Sequence, residues 1–175
     1  MENINKYIEN IKNIEKYKTI YTGKVRQVKE INEDLLILTA SNRLSAFDKY
    51  ICNINTKGVT LNNMSSWWFQ NTKHIIDNHY LYHKNEHMVV KKTEPIKLEF
   101  IVRGYITGST TTSLWTLYKD GKHNVYSVNL PDGLVKNQRL PEVVITPTTK
   151  GETDKPLRDE EVIHSGLLST SEWDY

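Results

Sequence analysis

The sequence predicts a mixed fold of helices and hairpin-linked strands, and three patterns carry that expectation. Ile4, Tyr7, Ile8, Ile11 and Ile14 recur at helical spacing with Asn, Lys and Glu between them, which marks an amphipathic helix with one face to dock. Strand-like runs at 19–28 and 35–40 flank Asn32-Glu33-Asp34, a polar turn signal, and read as a β-hairpin with Gly23 inside its first strand. Apolar runs at 88–91 and 98–106, separated by Pro95, read as further strands.

The other elements follow in order. Residues 41–48 read as a polar loop. A helix is expected over 61–76, with Leu61, Met64, Trp68 and Ile75 forming a side that packs into the core. A helix over 110–119 ends at Asp120-Gly121, where glycine supplies the left-handed cap. Residues 143–146 read as a strand before Pro147, and 157–168 as a helix with Gly166 near its end. Ser169 followed by Glu172 is a capping box, and it opens a helix that the sequence does not finish. That pattern predicts that the chain is the first part of a longer protein.

Hydrophobic residues make up 38% and charged residues 25%, which suits a globular chain rather than a disordered one. The 23 Lys and Arg nearly balance the 21 Asp and Glu, so the charge gives no global argument for nucleic-acid binding. Trp67-Trp68-Phe69 falls on an expected helix and not on an exposed sheet platform, which argues against an RNA-binding domain. Cys52 is the single cysteine, which excludes an intrachain disulfide and a cysteine-based zinc site within one chain. The longest apolar run, 35–38, is too short to span a membrane, and the N-terminus lacks the apolar stretch of a signal peptide. The cytoplasm is the expected location.

Residues suited to chemistry fall in clusters. In the run from Tyr21 to Arg26, a strand glycine allows close approach of a ligand to the backbone. Lys24 and Arg26, at period-two spacing, would share a face suited to a polyphosphate. On pattern alone a solvated surface strand is the commoner meaning of such alternation. In 41–48, Arg43 could clamp a carboxylate or phosphate and Asp48 a cation or ammonium, or the two could pair only to order the loop. Residues 98–109 run from an apolar strand through Arg103-Gly104 to Thr107-Gly108-Ser109 and into a helix. That helix start offers unpaired N–H groups to an anion, and Ser109 serves equally as a plain N-cap. A strand bounded by Pro141 and Pro147 delivers Lys150 on a loop.

The segments GKVRQV (23–28), SNRLSAFD (41–48), LEFIVRGYITGS (98–109), LPDGL (130–134) and LPEVVITPTTKGE (140–152) resemble, in order and spacing, the SAICAR synthetase family along essentially the whole chain. The resemblance implies an α+β fold. An antiparallel-sheet N-terminal lobe, kinase-like in outline, would cover residues 1–97, and an incomplete second α+β lobe would cover 98–175. It also implies an ATP-dependent ligase of purine biosynthesis. ATP would activate the carboxylate of carboxyaminoimidazole ribonucleotide, and the amine of L-aspartate would attack it, with Mg2+ on the ATP phosphates.

Carried over position by position, Gly23, Lys24 and Arg26 match the ATP-phosphate strand, and Glu99 the hinge near adenine. Arg43, Ser45 and Asp48 match the loop serving the carboxylated imidazole and aspartate. Arg103 and Ser109 match the residues that grip the ribotide phosphate, and Lys150 a lysine near the nucleotide. Asp48 and Lys150 are the catalytic candidates, and no residue is assigned to a metal. Asn42 stands where aspartate is common, and Thr153-Asp154 where many relatives carry His-Asp. The family's D-x-K-x-E-F-G strand and D-E-x-x-x-P-D-S-R segment do not occur. Their absence leaves alternatives beside the complete ligase: an inactive nucleotide- or ribotide-binding fragment, or one part of a split enzyme that self-associates or takes a C-terminal partner. Neither nucleic acid nor a membrane is an expected partner.

Overall fold

The computed structural model describes residues 4–47, 49–151 and 155–173, and the chain divides into two units, Met1–Glu94 and Pro95–Tyr175. In the first unit, α1 (Ile4–Lys12) and a 3-10 turn (Ile14–Lys16) precede strands β1 (Lys18–Thr22), β2 (Arg26–Glu30), β3 (Leu35–Ala40), β4 (Arg43–Ala46) and β5 (Lys49–Asn53). Helix α2 (Lys57–Thr72), β6 (Tyr80–Lys84) and β7 (His87–Lys91) complete it. The main sheet has the order β1-β2-β3-β7-β6, antiparallel throughout, and β4–β5 is a separate hairpin. The expected amphipathic helix docks as predicted, with Tyr7 and Ile11 of α1 buried against Leu35, Ile37 and Val89. Met88 and Val90, which alternate with Val89, are buried too, so β7 is covered on both faces.

Several expectations are corrected in this unit. The run 19–28 is two strands and not one, because Gly23 N–H bonds to Arg26 C=O at 2.8 Å and turns the chain back. Gly23 therefore lies in a turn, and a Cβ there would stand 2.9 Å from the Tyr21 ring. The β2–β3 hairpin forms as expected, its turn held by Asn32 Oδ1, which accepts from the N–H groups of Asp34 and Leu35. Residues 41–48 are not simply a loop: 43–46 form β4, paired with β5, and Phe47 at the tip takes a φ of 49°. The helix expected over 61–76 starts at Lys57 and ends at Thr72. Its Met64 and Trp68, and Ile75 beyond it, are more than half exposed, whereas Gly58, Asn62 and Ser66 are the buried residues.

In the second unit, β8 (Leu98–Tyr105) pairs antiparallel with β11 (Arg139–Thr149). Between them lie α3 (Leu114–Lys119) and a small hairpin of β9 (Asn124–Val125) and β10 (Val128–Asn129). Helices α4 (Asp159–His164) and α5 (Thr170–Trp173) follow. One core gathers Ile106, Leu114, Leu117, Tyr118, Tyr126 and Leu140, and a smaller one Leu98, Val162 and Leu168. Tyr118 ties 130–134 to α3: its hydroxyl donates to Pro131 C=O at 2.9 Å and accepts from Leu134 N–H at 3.0 Å.

Helix α3 ends as predicted at Gly121, with a φ of 80° and paired bonds from Gly121 N–H to Tyr118 C=O and Lys122 N–H to Leu117 C=O. Its start is corrected, since Ser113 and not Ser109 occupies the N-cap position. Gly108 is required there, because a Cβ would fall on the Ser113 side chain and its φ is 111°. The strand expected at 143–146 extends over 139–149, and the helix expected over 157–168 is α4 alone, with Gly166 just past its end. The Ser169–Glu172 capping box forms, with Ser169 N–H donating to Glu172 Oε2 at 2.8 Å. No helix among the described residues is long and apolar enough to cross a membrane.

The seam between α2 and its sheet is polar. Asn62 Nδ2 donates to the carbonyls of Asn85 and His87, Ser66 Oγ and Tyr80 Oη both meet His83 Nδ1 at 2.9 Å, and Thr39 Oγ1 meets His87 Nδ1 at 3.0 Å. Burial holds the His83 and His87 imidazoles below their ordinary range, against the opposing pull of Glu86 and Glu15 on His87. A histidine whose folded pKa is depressed takes up its proton more readily in the unfolded chain. Stability should therefore be constant above about pH 7 and decline as pH falls below about 6.5 through the lowered folded values. Denaturant melts between pH 8 and 5 check this. His83→Gln should flatten the decline, and an unchanged slope in that variant would remove His83 as a cause.

Candidate functional site

In the first unit the predicted residues cluster where the β1–β2 turn meets the start of the β4–β5 hairpin. Ser41 N–H bonds to Val25 C=O at 2.8 Å and joins the two segments. Lys24 sits in the turn and Arg26 opens β2, so they do not share a strand face by alternation, contrary to the period-two expectation. Arg26 instead reaches α2, where its Nη2 donates to Ser65 Oγ at 3.2 Å. The Arg43 guanidinium lies 5.7 Å from the Tyr50 ring centroid, and Ser45 pairs with Tyr50 in register. Asp48 lies outside the described residues, as does the departure at Thr153-Asp154. Asn42 Oδ1 accepts from Gly58 N–H at 2.8 Å and so ties the hairpin to the first turn of α2. An aspartate oxygen could accept the same bond.

In the second unit β8 and β11 bring the predicted residues to one face. Val144 stands opposite Arg103, Thr146 opposite Ile101 and Thr148 opposite Glu99. Alternation then places Glu99, Ile101 and Arg103 on the face of Val144, Thr146 and Thr148, and Lys150 continues that series. Lys150 Nζ contacts Glu99 Oε2 at 3.1 Å. Arg103 Nε donates to Thr146 Oγ1 at 2.8 Å. Thr148 is buried between these two contacts in the ladder, and its Oγ1 has no hydrogen-bond partner among the described residues. Ser109 is exposed in the irregular segment after β8. Helix α3 is six residues long and carries Ser113 at its start, so the expected anion site at a helix N-terminus does not form around Ser109.

A cavity of about 790 Å³ in this unit is lined by Phe100, Tyr126, Leu140, Val143, Ile145 and Trp173 among others, and by none of the predicted residues. Phe100, Val143 and Ile145 belong to the opposite, apolar face of the ribbon, while Val144, on the Arg103 face, lines the cavity as well. Among the described residues no three His, Cys, Asp or Glu side chains gather to hold a metal ion, so no Mg2+ ligands are assigned. Sequence reasoning missed Ser65, Tyr50 and Thr146 as partners of the three arginines. Thr146 had a signal, since residues 146, 148 and 150 alternate toward the lysine. Ser65 had none, because its role depends on α2 packing beside β2.

A family model for SAICAR synthetase matches residues 19–175. The chain belongs to the SAICAR synthetase family. It is 45% identical over 154 residues to the chloroplastic phosphoribosylaminoimidazole-succinocarboxamide synthase of Arabidopsis thaliana, a match covering 87% of this chain and 37% of that protein. It is 43% identical over 157 residues to the synthase of Legionella pneumophila (strain Paris), covering 88% of this chain and 50% of the other. The SAICAR-synthase from Saccharomyces cerevisiae, solved in complex with SAICAR, superposes with a TM-score of 0.77 at 27% identity over 90% of this chain and 57% of that one. The chain thus spans about half the length, or less, of the synthases it matches in sequence.

Family membership sharpens one question about the ribbon, whether Lys150 is there for folding or for function. The Lys150 and Glu99 side chains are 61% and 43% exposed, and ion pairs so exposed contribute about 0–1 kcal/mol. Lys150→Ala should therefore shift the denaturation free energy by less than about 1 kcal/mol. A larger loss in a urea melt would make the lysine structural.

Proposed function

We propose that the protein carrying this chain is an ATP-dependent ligase that joins L-aspartate to carboxyaminoimidazole ribonucleotide, giving SAICAR, ADP and phosphate. The observation that carries this reading is the gathering of Glu99, Arg103 and Lys150 on one face of the β8–β11 ribbon, in a chain of this family. The ribotide carboxylate oxygen attacks the γ-phosphorus of ATP, and ADP leaves. The aspartate amine then attacks the carbonyl carbon of the acyl phosphate, and phosphate leaves with the C–O electron pair. Three anionic substrates must be held together, so positioned positive charge is the main requirement.

The roles are those that the family resemblance implies for these positions. Gly23, Lys24 and Arg26 hold the ATP phosphates on the β1–β2 turn, where the glycine keeps the backbone open to them. Arg43 and Ser45 take carboxylates, and Asp48 takes the aspartate ammonium. Arg103 and Ser109 grip the ribotide phosphate, the arginine through two parallel N–H groups. Lys150 brings an ammonium to the nucleotide, and Glu99 keeps it extended. Mg2+ on the ATP phosphates would neutralise further charge.

The test is turnover of the full-length gene product with ATP, Mg2+, L-aspartate and the carboxylated ribotide. Product that depends on all three substrates supports the reading, and its absence in a folded protein sinks it. Calorimetry tests the phosphate turn separately. Lys24→Ala and Arg26→Ala should each weaken ATP binding by about 1.5–3 kcal/mol, the cost of a charge-assisted contact. Unchanged ATP affinity in the double variant would remove the turn from the nucleotide site.

A further inference from the structure

We infer that Thr146 is the positioning residue for Arg103, fixing the plane of its guanidinium through a single hydroxyl; the inference rests on the reading of Arg103 as the ribotide-phosphate ligand. Thr146 is fully buried on the strand paired with that of Arg103. Its Oγ1 accepts from Arg103 Nε at 2.8 Å and donates to Ile101 C=O at 3.2 Å. A hydroxyl carries one proton. With that proton given to Ile101, the oxygen presents a lone pair to Arg103 and nothing else.

The contact uses Nε, the inner nitrogen of the guanidinium. It fixes the orientation of the planar group while leaving the two terminal nitrogens side by side for a bidentate grip on phosphate. The partner is neutral, so the positive charge is oriented without being cancelled. Among the described residues no carboxylate pairs with Arg103. The buried Tyr126 phenol, pushed up by burial, is drawn partly back by the charge of Arg103.

The experiment is calorimetric titration of the full-length gene product with carboxyaminoimidazole ribonucleotide and, separately, with ATP. Thr146→Val keeps shape and removes the hydroxyl, whereas Thr146→Ser keeps the hydroxyl. The valine variant should lose on the order of tenfold in ribotide affinity, the worth of one contact to a charged group, and keep its ATP affinity. The serine variant should stay within about twofold of the parent, and in an Arg103→Ala background the valine change should add nothing beyond the same margin. Parent-like ribotide affinity in Thr146→Val, beside a weakened Arg103→Ala, overturns the inference and leaves the reading of Arg103 intact. So does an equal loss for both substrates. Parent-like affinity in Arg103→Ala overturns the reading itself. Should the valine variant not fold, the Arg103 Nε–H proton of the parent decides by NMR. Slow solvent exchange supports the buried bond to Thr146, and the rapid exchange of a free side chain overturns it.

Discussion

The pairing of β8 with β11, in register from Leu98–Thr149 to Arg103–Val144, sorts the second unit into two faces of opposite character. A slip of one residue would exchange them and send Glu99, Arg103 and Lys150 away from one another's partners. The apolar face holds the register. Leu98 is buried with Val162 and Leu168, and the Phe100 ring lies 5.9 Å from that of Trp173. Pro147 fits within this strand because its carbonyl points outward to Leu157 N–H at 3.0 Å, so the missing proline N–H also falls outside the ladder with β8. Beyond the cover of α4 and α5 the same face stays open, with Val102, Val143 and Ile145 67%, 66% and 51% exposed.

The first unit solves a different problem, since its main helix turns its largest apolar side chains outward. α2 approaches the sheet through Gly58, Asn62 and Ser66, residues small or polar enough for backbone contact. A Cβ at Gly58 would stand 2.5 Å from Ala40 C=O, so this approach excludes even alanine without a backbone shift. Hydrogen bonds replace hydrophobic area across the seam, and they fix the register of α2 against β6 and β7 through direction rather than volume. The same placement lets Ser65, beside the buried Ser66, reach Arg26.

The sequence was most informative where local chemistry decides structure. The β2–β3 turn at Asn32, the glycine end of α3 and the capping box at Ser169 were all legible, because each depends on residues within one turn of one another. It was least informative where tertiary contact overrides pattern. The stripe of Leu61, Met64 and Trp68 reads as a core face only if a partner surface meets it, and here the sheet meets the opposite, polar side. β4 and β5 leave no mark in the sequence because such short strands lack apolar alternation; β4 is mostly half-buried and all of β5 is exposed. Gly23 was placed in a strand because a tight turn without an Asn-Gly pair leaves no mark that separates it from a strand glycine. Of the site, the residue types were legible from the family motifs, while the partners that aim them were not.

Those partners share a property that bears on why the arginines are present. Arg26 is held by Ser65 Oγ, Arg43 lies over the Tyr50 ring and Arg103 is held by Thr146 Oγ1. Among the described residues none of the three pairs with a carboxylate, although acids nearly equal bases in the chain. An arginine kept for folding gains most from an acid, which returns Coulomb energy for the ordering it costs. A hydroxyl or an aromatic face returns less, but it orders the side chain and leaves its charge unspent. A cation held in that way is complementary to an anion yet to arrive, as preorganised electrostatics requires. Lys150 differs from these arginines in being paired with Glu99, so its charge is shared before any ligand binds. A phosphate at Lys150 must share it with the Glu99 carboxylate or displace it, at a cost of about 0–1 kcal/mol for a pair so exposed, whereas one at Arg103 meets the terminal nitrogens that Thr146 leaves open.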